Sequence, residues 1–170
     1  MDNLYSEEVE KNILGILLVH ENTRRYLKII NQEDFYIQQN KTIYSIMIDL
    51  YSHNYPIDIL SIKEAAKDKK YNSKEIFEYL IKLTEIVVTS TDIDYYVRKL
   101  KNYSTRRAIE RTAKEMIEDM HHINSDEDAG EIKKDCIGKI ANIKTLTANT
   151  KQEEMKDIIE DCGTSTYSNS

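Results

Sequence analysis

Residues 31–62 read NQEDFYIQQNKTIYSIMIDLYSHNYPIDILSI, and they decide the fold. An acidic turn carries an aromatic pair, Phe35 and Tyr36. In the helix that follows, Ile43, Tyr44, Met47, Leu50 and Tyr51 recur at i, i+1, i+4, i+7 and i+8. That spacing makes an apolar face wide enough to be covered from two sides. Pro56 is the chain's only proline. It cannot continue a helix, and it drives Tyr55 toward an extended backbone, so the chain must turn. Asp58 then stands where its carboxylate can accept from the free N–H groups of a new helix. Helix, forced turn and helix together predict a packed helical head.

On the N-terminal side, Ser6 is placed to cap a first helix reaching about His20, with Glu7 and Glu8 near its positive end. Val9, Ile13, Ile16 and Leu17 form its stripe. Gly15, mid-helix, costs about 1 kcal/mol relative to alanine, which a close helix contact would explain. Asn22 is expected to cap a short helix carrying Tyr26, Leu27 and Ile30. The central helix covers about Gln39 to His53. Beyond Asp58 a helix from Ile59 to about Lys69 turns Ile62, Ala65 and Ala66 inward, and Ser73 is expected to cap another with Ile76, Phe77, Leu80 and Leu83.

Val87–Thr91 reads as a loop, and Asp92 as the cap of a helix running to about Ile123, some 46 Å at 1.5 Å per residue. Its apolar pattern changes side partway. Ile93, Tyr96, Val97 and Leu100 share one face, whereas Ile109, Ala113, Met116 and Met120 lie about 170° round from it. The first half belongs to the head and the second must leave it. Residues 124–128 form an acidic turn, Asp128 caps the next helix, and Ala129, Ile132, Cys136, Ile140 and Ile143 make a stripe suited to the projecting half. An antiparallel helical hairpin follows. Two helices bury too little to be stable alone, so self-association is expected through Ile109, Ala113, Met116, Met120, Ile132 and Ile140. Residues 1–100 are thus the head, 101–146 the hairpin and 147–170, which include TANTKQEE, a flexible linker by composition.

With one proline, four glycines and 32% charged residues in 170, the fold class is all-α. No apolar run approaches the roughly 18 residues of a membrane span, and no secretion signal opens the chain, so the expectation is a cytoplasmic protein without membrane contact. Cys136 and Cys162 show no metal-ligand spacing, so free thiols are expected. A net charge of −6 argues against a nucleic-acid platform. Yet Arg98–Lys114 holds seven basic residues against one acid, Glu110. Arg106, Arg107 and Arg111 are its candidate contacts to single-stranded DNA, expected to be weak.

Catalytic chemistry is not apparent. No GxxxxGK[ST] loop cradles a phosphate, and the adjacent His121 and His122 point about 100° apart rather than sharing a helix face as metal ligands do. No isolated carboxylate pair sits in an apolar setting. No catalytic, cofactor or metal residue is therefore assigned.

The order of elements resembles the N-terminal domain of bacterial replicative DNA helicases, the DnaB family. The resemblance is carried by EDFY, by the form I-Y-x-x-I-x-x-L-Y (with Met47 at its second isoleucine) and P-I-D in the central stretch, and by Glu8–Leu18 as E-x-E-x-x-[VI]-L-G-x-[IL]-L. Tyr79, Leu80 and Leu83 supply Y-L-x-x-L, and Arg106, Arg107, Ile109 and Ala113 supply R-R-x-I-x-x-x-A. Departures are Asn40 where the family has a histidine, Thr105 before the paired arginines, and Ser73–Ile76 in place of a Gly-Gly. The resemblance implies a non-catalytic assembly domain: a dimer as a fragment, and a collar in a hexamer. It also implies recruitment of a DnaG-type primase and engagement by a helicase loader. ATP and Mg would bind only a separate RecA-like motor domain, making the parent an ATP-dependent DNA helicase. Glu8, Tyr79 and Ile117 are the candidate primase contacts, Tyr79 and Ile117 because each lies off its helix's buried stripe, although Tyr79 could equally seal the head's core. The competing reading is a free-standing helical adaptor or DNA-binding regulator that uses residues 98–114.

Overall fold

The computed structural model describes residues 4–86, 93–122 and 128–143. Among these, every regular element is helical. Helix α1 (Glu7–Val19) starts at Ser6, whose hydroxyl accepts from the Val9 N–H at 3.3 Å. Its middle is buried nearly all round, Gly15 included, so it is the central post of the head rather than a one-sided helix. Helices α4 (Ser73–Ile86) and α5 (Ile93–His122) flank it. Helix α2 (Gln38–Ser52) buries Ile43, Tyr44, Ile46, Met47 and Leu50, and α3 (Ile59–Asp68) buries Ile62 and Ala66 between α2 and α4. Pro56 and Asp58 act as their chemistry requires: α2 ends before them, and Asp58 accepts from the Ser61 N–H at 2.8 Å.

Three local expectations are corrected. The short helix expected after Asn22 is a 3₁₀ helix over Glu21–Lys28, with Asn22 inside its first turn rather than at its cap. Thr23 explains the tighter winding, because its N–H and hydroxyl both donate to the His20 carbonyl (3.0 and 2.6 Å). The cap of α4 falls one residue earlier, on Asn72, whose side chain accepts from the Glu75 N–H at 3.3 Å. Phe77 is half-buried rather than in the core, and the Lys63 ammonium sits 4.5 Å over its ring.

The long helix α5 changes sides as expected, but its outer half packs through Thr112 and Met116, while Ile109, Ala113 and Met120 stay exposed. Ile93, Val97 and Leu100 are buried in the head, and the helix leaves it beyond the contacts of Tyr103 and Arg107. Helix α6 (Ala129–Ala141), capped by Asp128 through the Gly130 N–H at 2.6 Å, folds back along the projecting half. The expected loop at Val87–Thr91, the Asp92 cap, most of the turn at 124–128, the linker at 147–170 and Cys162 lie outside the described residues.

Candidate assembly and partner surface

The hairpin is built from a narrow seam. In the outer half of α5, Thr112 is buried and Met116 half-buried; in α6, Ile132, Cys136 and Lys139 are half-buried. The Lys139 ammonium reaches Asp119 of α5 at 2.5 Å and Asp135 of its own helix at 2.7 Å. Counting about 100° per residue from this seam, Ile109, Ala113, Ile117 and Met120 fall on one side of α5. On α6, running the other way, Ile137 and Ile140 fall on the matching side. All six are exposed, Ile117 at 59% and Ile137 at 57%. The hairpin therefore presents one continuous uncovered apolar face.

This divides the residues grouped by periodicity. Met116 and Ile132 belong to the seam, while Ile109, Ala113, Met120 and Ile140 belong to the open face. Ile117, set apart as a primase contact, stands on that same face. Ile137 went unread because it lies one residue off the α6 stripe.

At its root, α5 is held to the head by polar contacts. The Lys101 ammonium meets the Asp34 carboxylate at 2.6 Å, with side chains only 14% and 8% exposed. Arg107 donates to three carbonyls, those of Asp34 (2.6 Å), Leu4 (2.8 Å) and Glu33 (3.3 Å). Burial lowers the pKa of its guanidinium, an effect opposed by Glu10 and Asp34. The acidic turn itself, a 3₁₀ turn at Gln32–Asp34, is closed by a capping box between Asn31 and Asp34.

Glu10 is the site's deepest charge at 1% exposure. Its carboxylate accepts from the backbone N–H of Tyr36 (2.7 Å) and Ile37 (3.2 Å) and from Asn40 Nδ2 (2.8 Å). Ile37, the N-cap of α2, has no side chain able to cap, and the Glu10 carboxylate from α1 stands at the helix's positive end, held by the N–H groups of Ile37 and Tyr36 just before the first turn. The Tyr79 hydroxyl then donates to Asn40 Oδ1 at 2.8 Å, and the Lys11 ammonium lies 5.9 Å from the ring. Of the two readings of Tyr79, the ring is half-buried and packed against the core, which favours the seal over a ring free for a partner. Glu8 is exposed on the first turn of α1.

The basic stretch is not a continuous patch. Lys101 and Arg107 point inward, Lys114 pairs with Glu110 at 2.6 Å, and Arg111 lies 3.8 Å from Glu115. Of the three arginines expected to meet DNA, Arg107 is committed to the head, while Arg106 and Arg111 remain on the surface. An open cleft of about 630 Å³ lies beside Tyr36, Arg107 and Lys114, but Glu33 and Glu110 line it too.

The DnaB-like helicase N terminal domain model matches residues 2–102 of this chain. The chain belongs to that family. Among curated relatives, a replicative DNA helicase DnaB of Leifsonia xyli is 30% identical over 83 residues, 48% of this chain and 18% of the relative. The DnaB of Rhodothermus marinus is 28% identical over 61% of this chain and 11% of its own length. That of Geobacillus stearothermophilus is 26% identical over 70% and 28%. The chain thus spans a small part of each relative. The crystal structure of the N-terminal domain of DnaB helicase from Mycobacterium tuberculosis shares the fold at a TM-score of 0.71 and 19% identity, covering 84% of this chain and all of that one.

Within this DnaB-like domain, the buried polar groups escaped the sequence reading. Glu10, Asp34 and Lys101 look like ordinary surface charges in a helical pattern, and their partners lie 26, 67 and 67 positions away (Tyr36 from Glu10, and the Asp34–Lys101 pair). The only trace was EDFY itself, an acid placed beside an aromatic that must be buried.

Proposed function

We propose that this chain is the assembly and primase-recruiting domain of a replicative DNA helicase, acting in DNA replication. It would form the collar of a hexamer whose ATP-driven unwinding resides in a separate motor domain. One observation carries the reading: the hairpin holds an uncovered apolar face, and no residue of α6 is fully buried within one chain. Large exposed apolar patches mark interaction surfaces. The primase, the loader and the hexameric state are what the family resemblance implies. Glu8 and Ile117, both exposed, are the more accessible of the residues offered for primase contact.

Sedimentation tests this reading. The wild-type chain should be a dimer at high micromolar concentration, and Ile117→Glu with Ile140→Glu should give a monomer of unchanged helical circular dichroism. Adding the C-terminal domain of the cognate DnaG-type primase should shift the dimer to a heavier species. A wild-type monomer would remove the assembly role, and the absence of a shift would remove recruitment. The regulator reading is weaker, because two of its seven cations are spent inside the head.

A further inference from the structure

We infer that the acidic turn at residues 31–36 is a clasp that sets the direction of the hairpin relative to the head, with Lys101 and Arg107 as its two teeth. Full apolar burial of α5 in the head ends at Leu100, half-buried Tyr103 makes the last apolar contact one turn further on, and the next buried position is Thr112, in the hairpin seam. Between Leu100 and Thr112 lie about three turns of helix, some 18 Å at 1.5 Å per residue. The strong contacts of this span are polar and converge on one short turn. Asp34 is gripped twice there, its carboxylate by Lys101 and its carbonyl by Arg107.

The turn is itself fixed to the head from the other side, through the Tyr36 and Ile37 N–H groups on the Glu10 carboxylate. The chain of contact runs from α1 through the turn to α5 with no gap. A cation fork with three carbonyl acceptors has one good geometry, whereas an apolar contact of equal area tolerates sliding. The clasp therefore fixes an angle where hydrophobic packing would leave it loose. It also has a handle. Leu4 supplies one acceptor of Arg107, and the neighbouring Tyr5 ring stacks on Tyr36 at 4.3 Å, under the same guanidinium at 5.7 Å. Displacing the N-terminal segment takes away part of the grip without touching the core.

The inference does not depend on the assembly reading, and its test keeps the two apart. Spin labels are placed at Lys67→Cys in the head and Lys134→Cys in the hairpin, with Cys136 and Cys162 changed to serine. Labelled chain is diluted into excess unlabelled chain so that only distances within one molecule count. The wild type should give one narrow distance distribution by pulsed electron resonance. Arg107→Met with Lys101→Met should broaden or shift it, at unchanged helical circular dichroism. Deletion of residues 1–5 should do so partially. Each single substitution and Asp34→Asn is measured as well, so that a double variant that fails to fold does not end the test. A distribution of wild-type width in the folded variants, or a wild type that is already broad, overturns the clasp.

Discussion

Glu10 shows what one residue does when its surroundings rather than its type decide. A carboxylate removed from water costs several kcal/mol unless its oxygens are satisfied. Here three donors and the positive end of α2 satisfy it, and through Asn40 the network ends on the Tyr79 hydroxyl. Tyr79→Phe leaves the Asn40 carbonyl without that donor and should cost about 1 kcal/mol. Tyr79→Ala also empties half-buried volume and should cost about 3 kcal/mol. Urea denaturation checks both. The phenol's pKa is pushed up to about 12, by burial first and by Glu7 and Glu10 after it. Folding thus favours the neutral form: its contribution is complete below about pH 10, the unfolded value, and is lost as pH rises through about 12. The gap between wild type and Tyr79→Phe should therefore narrow above about pH 10. A constant gap would place the hydroxyl in water. None of this could be read from periodicity, which put Tyr79 off the buried stripe and there stopped; a half-buried side position is not distinguished from an exposed one by helical spacing alone.

Elements were more legible than residues because their signals are local. Pro56 with Asp58 and the Ser6 cap each act within a few positions, and each is found where the spacing put it. The outer face of α5, by contrast, packs through Thr112 and Met116 rather than through the stripe of Ile109, Ala113 and Met120. The short helix at Glu21–Lys28 was read, but not its 3₁₀ winding, since its apolar residues fit either winding and Thr23 bonds to the His20 carbonyl three residues back. Helix ends supply a further test. Both α2 and α3 close with the same pair of reversed bonds, Tyr55 to Leu50 and Asn54 to Tyr51, then Tyr71 to Ala66 and Lys70 to Lys67. This motif needs a left-handed residue, Asn54 at φ 56° and Lys70 at φ 62°. Asparagine tolerates that region; lysine there costs about 1–2 kcal/mol, against which glycine loses about 0.5–1 kcal/mol of chain entropy. Lys70→Gly should raise stability by about 0.5–1 kcal/mol, seen as a higher urea midpoint at unchanged slope. Lys70→Val, β-branched, should lower it. If both are neutral, the end of α3 is not held in this turn.

For the whole molecule, charge placement matters more than its sum. A run of seven cations suggested a nucleic-acid contact, and the net charge of −6 argued against one. Folding strengthens the second argument, because Lys101 and Arg107 turn inward to hold the hairpin's root, and Lys114 and Arg111 stand beside glutamates. Arg98, Lys99 and Arg106 remain exposed, Lys99 over the Tyr95 ring at 5.0 Å. Three cations neutralise at most about three phosphates, which for a single strand gives a slope of log affinity against log salt near −2. Tight binding to single strands combines such charge with several stacking aromatics along one groove. Here the exposed tyrosines beside the stretch are already engaged, Tyr95 under Lys99 and Tyr36 between Tyr5 and Arg107. Fluorescence anisotropy with a labelled oligo-dT should therefore give a Kd of roughly 10 μM or weaker at physiological salt, with a slope no steeper than about −2. Arg106→Ala should flatten that slope by somewhat less than 1, whereas Arg107→Ala should disturb the hairpin's root before it disturbs DNA affinity. A submicromolar Kd, or a slope that falls equally for both variants, would return Arg107 to the surface and the chain to the DNA-binding reading.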